Sequence, residues 1–202
     1  MATDTRERLV RVARELIHSS TFADVSVEDI CAKAGVHRGS LYHFFPSKEA
    51  LGLAVLEANW ATMTALLDEA FSADVAPLER IDRFLQSFGG MLAAARLQIG
   101  ATPGCPLGNL AAELSAQQGQ ARTSIAGIFD AWTGRLADTI QEAQLRGDVD
   151  HDVAPRDAAL RVLAYVQGLA LLAKAYDQPD LVEQARAGAR LLLQSTTSAS
   201  AG

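Results

Sequence analysis

Cys105 is the residue whose setting most invites covalent chemistry. It stands in the run Thr102-Pro103-Gly104-Cys105-Pro106-Leu107-Gly108-Asn109-Leu110. Pro106 suits the first position of a helix, which makes Cys105 its N-cap. Unpaired backbone N–H groups and the helix dipole at such a start favour the thiolate, the reactive form of cysteine. A catalytic nucleophile also needs a base and a group to orient it. Beyond the first fifty residues the one histidine is His151, in an acidic turn, and no Ser/His/Asp set or Cys/His cluster is visible. No enzyme, metal or cofactor is therefore expected. Cys105 reads either as a reactive thiol or as a cap that lines a pocket. The other cysteine, Cys31 beside Ile30, reads as a small buried apolar residue.

A second group of residues suits recognition rather than reaction. His37, Arg38, Gly39 and Ser40 crowd the start of a short helical pattern, where small and polar side chains allow close approach to base edges. Tyr42 and His43 follow one turn later, suited to phosphate oxygens. Lys48 falls in the first turn of the next helix, where its cation works against the dipole and a nearby phosphate would explain its placement.

These residues need rigid elements beneath them. Helical periodicity runs throughout and no period-two alternation is present, so the fold class is all-α. A first helix is expected from about Thr5 to Ser19, with Asp4 as N-cap. Ser26-Val27-Glu28-Asp29 reads as a capping box that opens a second, ended by Gly35. A third spans His37 to Phe44, and Ser47 caps a long fourth that stops near Ser72. Two short helices across Gly35-Val36 make a helix-turn-helix, whose second helix enters the major groove. Five more helices are expected: from Pro77, from Pro106 to about Ala116, Ala121 to Gly147, Pro155 to Tyr176, and Pro179 to about Gln194. The total is about nine. The expected division is a DNA-binding domain over 1–48, a helical effector-binding and dimerisation domain over 49–195, and a disordered tail over 196–202.

The formal net charge is −6, but it is unevenly spread. Residues 1–48 carry seven Lys/Arg against six Asp/Glu, and residues 49–202 carry eleven against eighteen. DNA contact must then come from a few placed cations, not a basic field. The charged N-terminus does not read as a leader, and the apolar run 162–173 is too short to span a bilayer. A cytoplasmic protein with no membrane partner is expected.

The runs Val27-Glu28-Asp29-Ile30-Cys31-Ala32-Lys33-Ala34-Gly35-Val36 and Gly39-Ser40-Leu41-Tyr42-His43-Phe44-Phe45-Pro46-Ser47-Lys48-Glu49-Ala50-Leu51 resemble the N-terminal signature of the tetracycline-repressor (TetR) family. The resemblance implies a three-helix DNA-binding domain and a variable helical effector domain. It implies base contacts from His37, Arg38 and Ser40, with Gly35 and Gly39 shaping the surface, and phosphate contacts from Ser26, Tyr42, His43 and Lys48. It also implies a homodimer through the last two long helices. Gly104-Cys105-x-x-Gly108-Asn109 resembles a branch in which some members sense electrophiles or oxidants through cysteine.

Within the second part, Trp60, Phe84, Phe88, Phe129, Trp132 and Tyr165 are either core or the wall of a cavity for a small apolar ligand. With Cys105 and Asn109 they form the candidate ligand-binding set. The expected function is a ligand-responsive repressor on a palindromic operator. The alternatives are a thiol-based sensor using Cys105, or a helical enzyme or interaction module that no longer binds DNA.

Overall fold

In the computed structural model, residues 2–115, 119–184 and 186–194 are described, and all the regular structure among them is helical. The elements are α1 (Ala2–Ser19), α2 (Val27–Ala34), α3 (Arg38–Phe44), α4 (Lys48–Ala70), α5 (Pro77–Ile99), α6 (Pro106–Leu114), α7 (Gln120–Leu145), α8 (Pro155–Tyr176), α9 (Leu181–Gln184) and α10 (Arg186–Leu191). The last expected helix, from Pro179 to about Gln194, is described as helical over Leu181–Gln184 and Arg186–Leu191. Helix α1 begins at Ala2, so Asp4 is a first-turn carboxylate near the positive helix end and not the N-cap. His37 lies just outside α3 as its N-cap in an extended conformation. The expected tail, 196–202, lies outside the described residues, as does the end expected for α6 at Ala116.

Local signals set most boundaries. Ser26 and Asp29 form a reciprocal capping box at the start of α2, and Gly35 closes it in the left-handed region at φ 65°. Ser47 Oγ accepts from the Ala50 backbone N–H at 3.2 Å, capping α4. Pro77, Pro106 and Pro155 each occupy the first turn of their helix, where a missing N–H costs nothing.

The chain divides into two compact units, residues 1–63 with 105–127, and residues 64–104 with 128–202. In the first, α1, α2 and α3 pack together over Leu9, Ala13, Ile30, Leu41 and Phe45, all buried. Helix α6 and the first turns of α7 belong to this unit although they lie far along the sequence.

In the second unit α5 packs on α9 and α10, and α8 packs on α9. Gly89 faces α9 across this contact, and a Cβ there would meet the Glu183 backbone nitrogen at 3.5 Å, an ordinary van der Waals distance. Arg80, only 6% exposed, makes a two-pronged pair with Glu142 at 2.6 and 3.0 Å and also donates to the Val75 carbonyl at 2.9 Å. A buried guanidinium is tolerable because its donors are met in this way. Helices α4 and α8 are long and apolar enough to cross a membrane by length and composition. Helix α8 buries Val162, Leu163, Val166, Ala170 and Ala173 on one face, and leaves Leu160, Leu171, Leu172 and Tyr176 exposed on the other.

Candidate nucleic-acid interface and effector segment

Helix α3 sorts its side chains cleanly. Leu41 and the following Phe45 point into the core, at 0% and 3% exposure. His37, Arg38, Gly39, Tyr42 and His43 are exposed, and Ser40 is partly so. Nothing lies within 4 Å of the position a Cβ would take at Gly39. The result is an outward strip of donors with an open backbone approach at its centre. This strip is the set that the sequence singles out.

Arg38 is held by its own unit. Its guanidinium pairs with Glu28 of α2 and lies over the Tyr42 ring, 5.5 Å from the centroid. Both members of the Arg38–Glu28 pair are well exposed, so an incoming acceptor exchanges with Glu28 at small cost. Glu28 is a partner that the sequence pattern did not mark, because its link to Arg38 spans ten positions and two helices. Ser26 is engaged in the capping box, where its hydroxyl accepts from the Asp29 N–H at 3.0 Å. Hydrogen bonds from Ser26 hold the Asp29 carboxyl below its ordinary range. Lys48 is partly exposed. Its Nζ donates to the Ala23 carbonyl at 3.2 Å and lies 4.6 Å from the Phe22 ring centroid.

The candidate ligand-lining residues fall in both units. Trp60, Cys105 and Asn109 are in the first, and Phe84, Phe88, Phe129, Trp132 and Tyr165 in the second. Within the second, aromatic rings gather. Phe84 and Phe88 both meet Trp132 edge-on, at 5.9 and 6.3 Å between centroids, and Phe129 stacks on it at 6.3 Å. Phe71 extends the cluster by stacking on Phe84 at 5.8 Å. Phe84, Phe88 and Trp132 are fully buried. Tyr165 is partly exposed, and its hydroxyl fills the space that a side chain at Gly188 would need.

Cys105 caps α6, its Sγ accepting from the Gly108 N–H at 3.4 Å, and is 4% exposed. The loop before it is pinned from the end of α8. Asp177, itself in the left-handed region at φ 54°, accepts from Arg96 at 2.9 and 2.7 Å and from the Thr102 backbone N–H and hydroxyl at 2.9 Å each. Those donors, Arg96 first, hold its carboxyl far below the ordinary carboxylate range. Gly104 is at φ 74°, and a Cβ there would meet the Ala170 carbonyl and the Lys174 stem at 3.3 Å. Lys174 itself is exposed, with its stem against Gly104.

The comparisons with known proteins agree with this arrangement. Residues 9–55 match the family model described as bacterial regulatory proteins, tetR family, and residues 77–189 match the tetracyclin repressor-like C-terminal domain. The chain is 32% identical over 180 residues to the transcriptional regulator AcuR of Cereibacter sphaeroides, covering 89% of this chain and 80% of that one. It is 30% identical over 173 residues to the transcriptional repressor DhaR of a Mycobacterium species, covering 85% and 83%. The crystal structure of a regulatory protein TetR from Rhodobacter sphaeroides superposes with a TM-score of 0.80 at 31% identity, covering 91% and 96%. With a helix-turn-helix, a matching helical second part and relatives that are transcriptional regulators, the chain belongs to the TetR family, whose regulators bind operator DNA as dimers and answer to small-molecule effectors.

Proposed function

We propose that the protein is a repressor that binds a palindromic operator as a homodimer and leaves it when a small, largely apolar effector enters the helical second part. The observation that carries the DNA-binding reading is α3. It exposes His37, Arg38, Gly39, Tyr42 and His43 on one side while Leu41 and Phe45 anchor the other. In this reading His37, Arg38 and Ser40 contact bases across the surface shaped by Gly35 and Gly39, and Ser26, Tyr42, His43 and Lys48 contact phosphates. The apolar, exposed side of α8 suits a second copy of the chain, which supports dimerisation there. The match of residues 77–189 to the tetracyclin repressor-like C-terminal domain supports an effector site in the second part.

The test is an anisotropy titration with labelled duplex from upstream of the protein's own coding sequence. The wild type is expected to bind it well ahead of a scrambled duplex. The acid excess of residues 49–202 keeps random-duplex affinity at about micromolar or weaker at physiological salt. Equal binding to the two duplexes would refute the reading.

A second reading, release through a thiol at Cys105, is favoured by its Sγ accepting a backbone N–H at the start of α6. It places the chain in the cysteine-sensing branch that Gly104-Cys105-x-x-Gly108-Asn109 resembles. Under this reading an electrophile releases the wild type from the upstream duplex and leaves Cys105→Ser bound. Equal release of both assigns induction to a reversible ligand.

A further inference from the structure

The turn between α1 and α2 is held between opposite charges. Glu113, near the end of α6, reaches back some ninety positions to receive two backbone N–H groups. Phe22 donates to Oε1 at 3.2 Å and Ala23 to Oε2 at 2.9 Å. On the other side of the same turn the Ala23 carbonyl accepts from Lys48 Nζ at 3.2 Å. The Lys48 ammonium also lies over the Phe22 ring, 4.6 Å from its centroid. That ring is buried and wedged against α4, where a Cβ at Gly52 would come within 2.6 Å of Phe22 Cε2. All these groups lie in one compact unit. A carboxylate on the N–H side and an ammonium on the carbonyl side polarise the intervening peptides in the same sense, so each contact strengthens the other.

We propose that Glu113 is a positioning residue for DNA binding, acting through the Phe22–Ala23 turn to fix the ammonium of Lys48 where a phosphate oxygen meets it. This rests on the DNA-binding reading above, in which Lys48 contacts the phosphate backbone. The ammonium has three donors. One is spent on Ala23, which sets its direction, and the others remain for phosphate. Without the carboxylate, the turn loses both N–H acceptors on that side, and the Ala23 carbonyl no longer holds the lysine in one place. Glu113 touches no DNA, so its effect must pass through Lys48.

The experiment is a double-mutant cycle read by anisotropy against salt, with the upstream duplex and a random-sequence duplex as probes. Glu113→Ala is expected to weaken both probes by about tenfold, the scale of one charge-assisted contact. Its salt slope should fall by about one unit, as for Lys48→Ala. Adding Glu113→Ala to Lys48→Ala should cost nothing more. Glu113→Gln, which keeps one acceptor oxygen, should recover part of the loss and carries the comparison if the alanine variant fails to fold. Wild-type affinity in Glu113→Ala, or losses that multiply with those of Lys48→Ala, would overturn the proposal. A wild-type chain that binds neither probe overturns the DNA-binding reading itself, a separate outcome visible before any variant is compared.

Discussion

A Leu171→Glu, Leu191→Glu variant is expected to sediment as a monomer at concentrations where the wild type is a dimer. Both leucines are more than 60% exposed in the single chain, at 65% and 63%, alongside Leu160 at 58%, Leu172 at 43% and Tyr176 at 62%. With Ala164 and Gly168, also exposed, the α8 members recur at three- and four-residue intervals and make one apolar face. A contiguous exposed apolar face of that kind marks an interaction surface. A glutamate placed in its centre would be buried without a counter-charge, which typically costs several kcal/mol. The protomer should keep its fold, because the substituted positions face outward. DNA affinity should fall by about a hundredfold or more as the two reading heads lose their linkage. Leu169 and Leu192 are already partly covered within the protomer and make a poorer test. An unchanged sedimentation coefficient in the double variant would move the dimer interface elsewhere.

The second large effect concerns Trp132. Trp132→Ala should lower stability by about 3–5 kcal/mol, the usual cost of deleting a large aromatic from a closed core. For a chain of this size that moves the thermal midpoint by roughly 10–15 °C. The side chain is fully buried among Phe84, Phe88 and Phe129, so its removal leaves a cavity that three rigid rings cannot close. Its Nε1 has no hydrogen-bond partner among the described residues, so no hydrogen bond is lost and the cost is one of packing. Trp132→Phe should therefore stay within about 2 kcal/mol of wild type, since it refills most of the space and removes a buried donor. Calorimetry or chemical denaturation decides. A loss under about 1 kcal/mol for Trp132→Ala would place the ring on the wall of an open pocket and not in a core.

What could be read in the sequence was local. The Ser26–Asp29 box, Gly35, Ser47, Cys105 and the prolines at 77, 106 and 155 act within one helical turn of themselves, and each stands where its chemistry requires. The division of α3 into Leu41 and Phe45 inside, with His37, Arg38, Tyr42 and His43 outside, follows from helical spacing alone. The family signature extended this to roles for individual residues. Long-range polar pairings carry no such period. Nothing in the spacing of Glu113 points to Phe22, nor that of Glu142 to Arg80, nor that of Asp177 to Thr102. Those contacts are set by how helices are brought together, and they hold the turns that local signals merely permit. The start of α1 is not legible in the sequence for a related reason. Asp4 fits an N-cap equally well as a first-turn carboxylate, and only the backbone distinguishes the two. The grouping of α6 with the DNA-reading helices was equally hidden, since it depends on a reach across some ninety residues.

The central claim, that α3 reads DNA while Lys48 grips its backbone, is tested most directly by comparing two variants on one set of duplexes. Binding of Arg38→Ala and Lys48→Ala to the upstream duplex, and to versions altered one base pair at a time, should be titrated across a range of salt. Arg38→Ala is expected to lose about 10–100-fold on the upstream duplex, and to become indifferent to the base at one pair in each half-site. Lys48→Ala should weaken all duplexes alike and lower the salt slope by about one unit. Uniform loss across every duplex in Arg38→Ala, with base preference intact, would contradict the account.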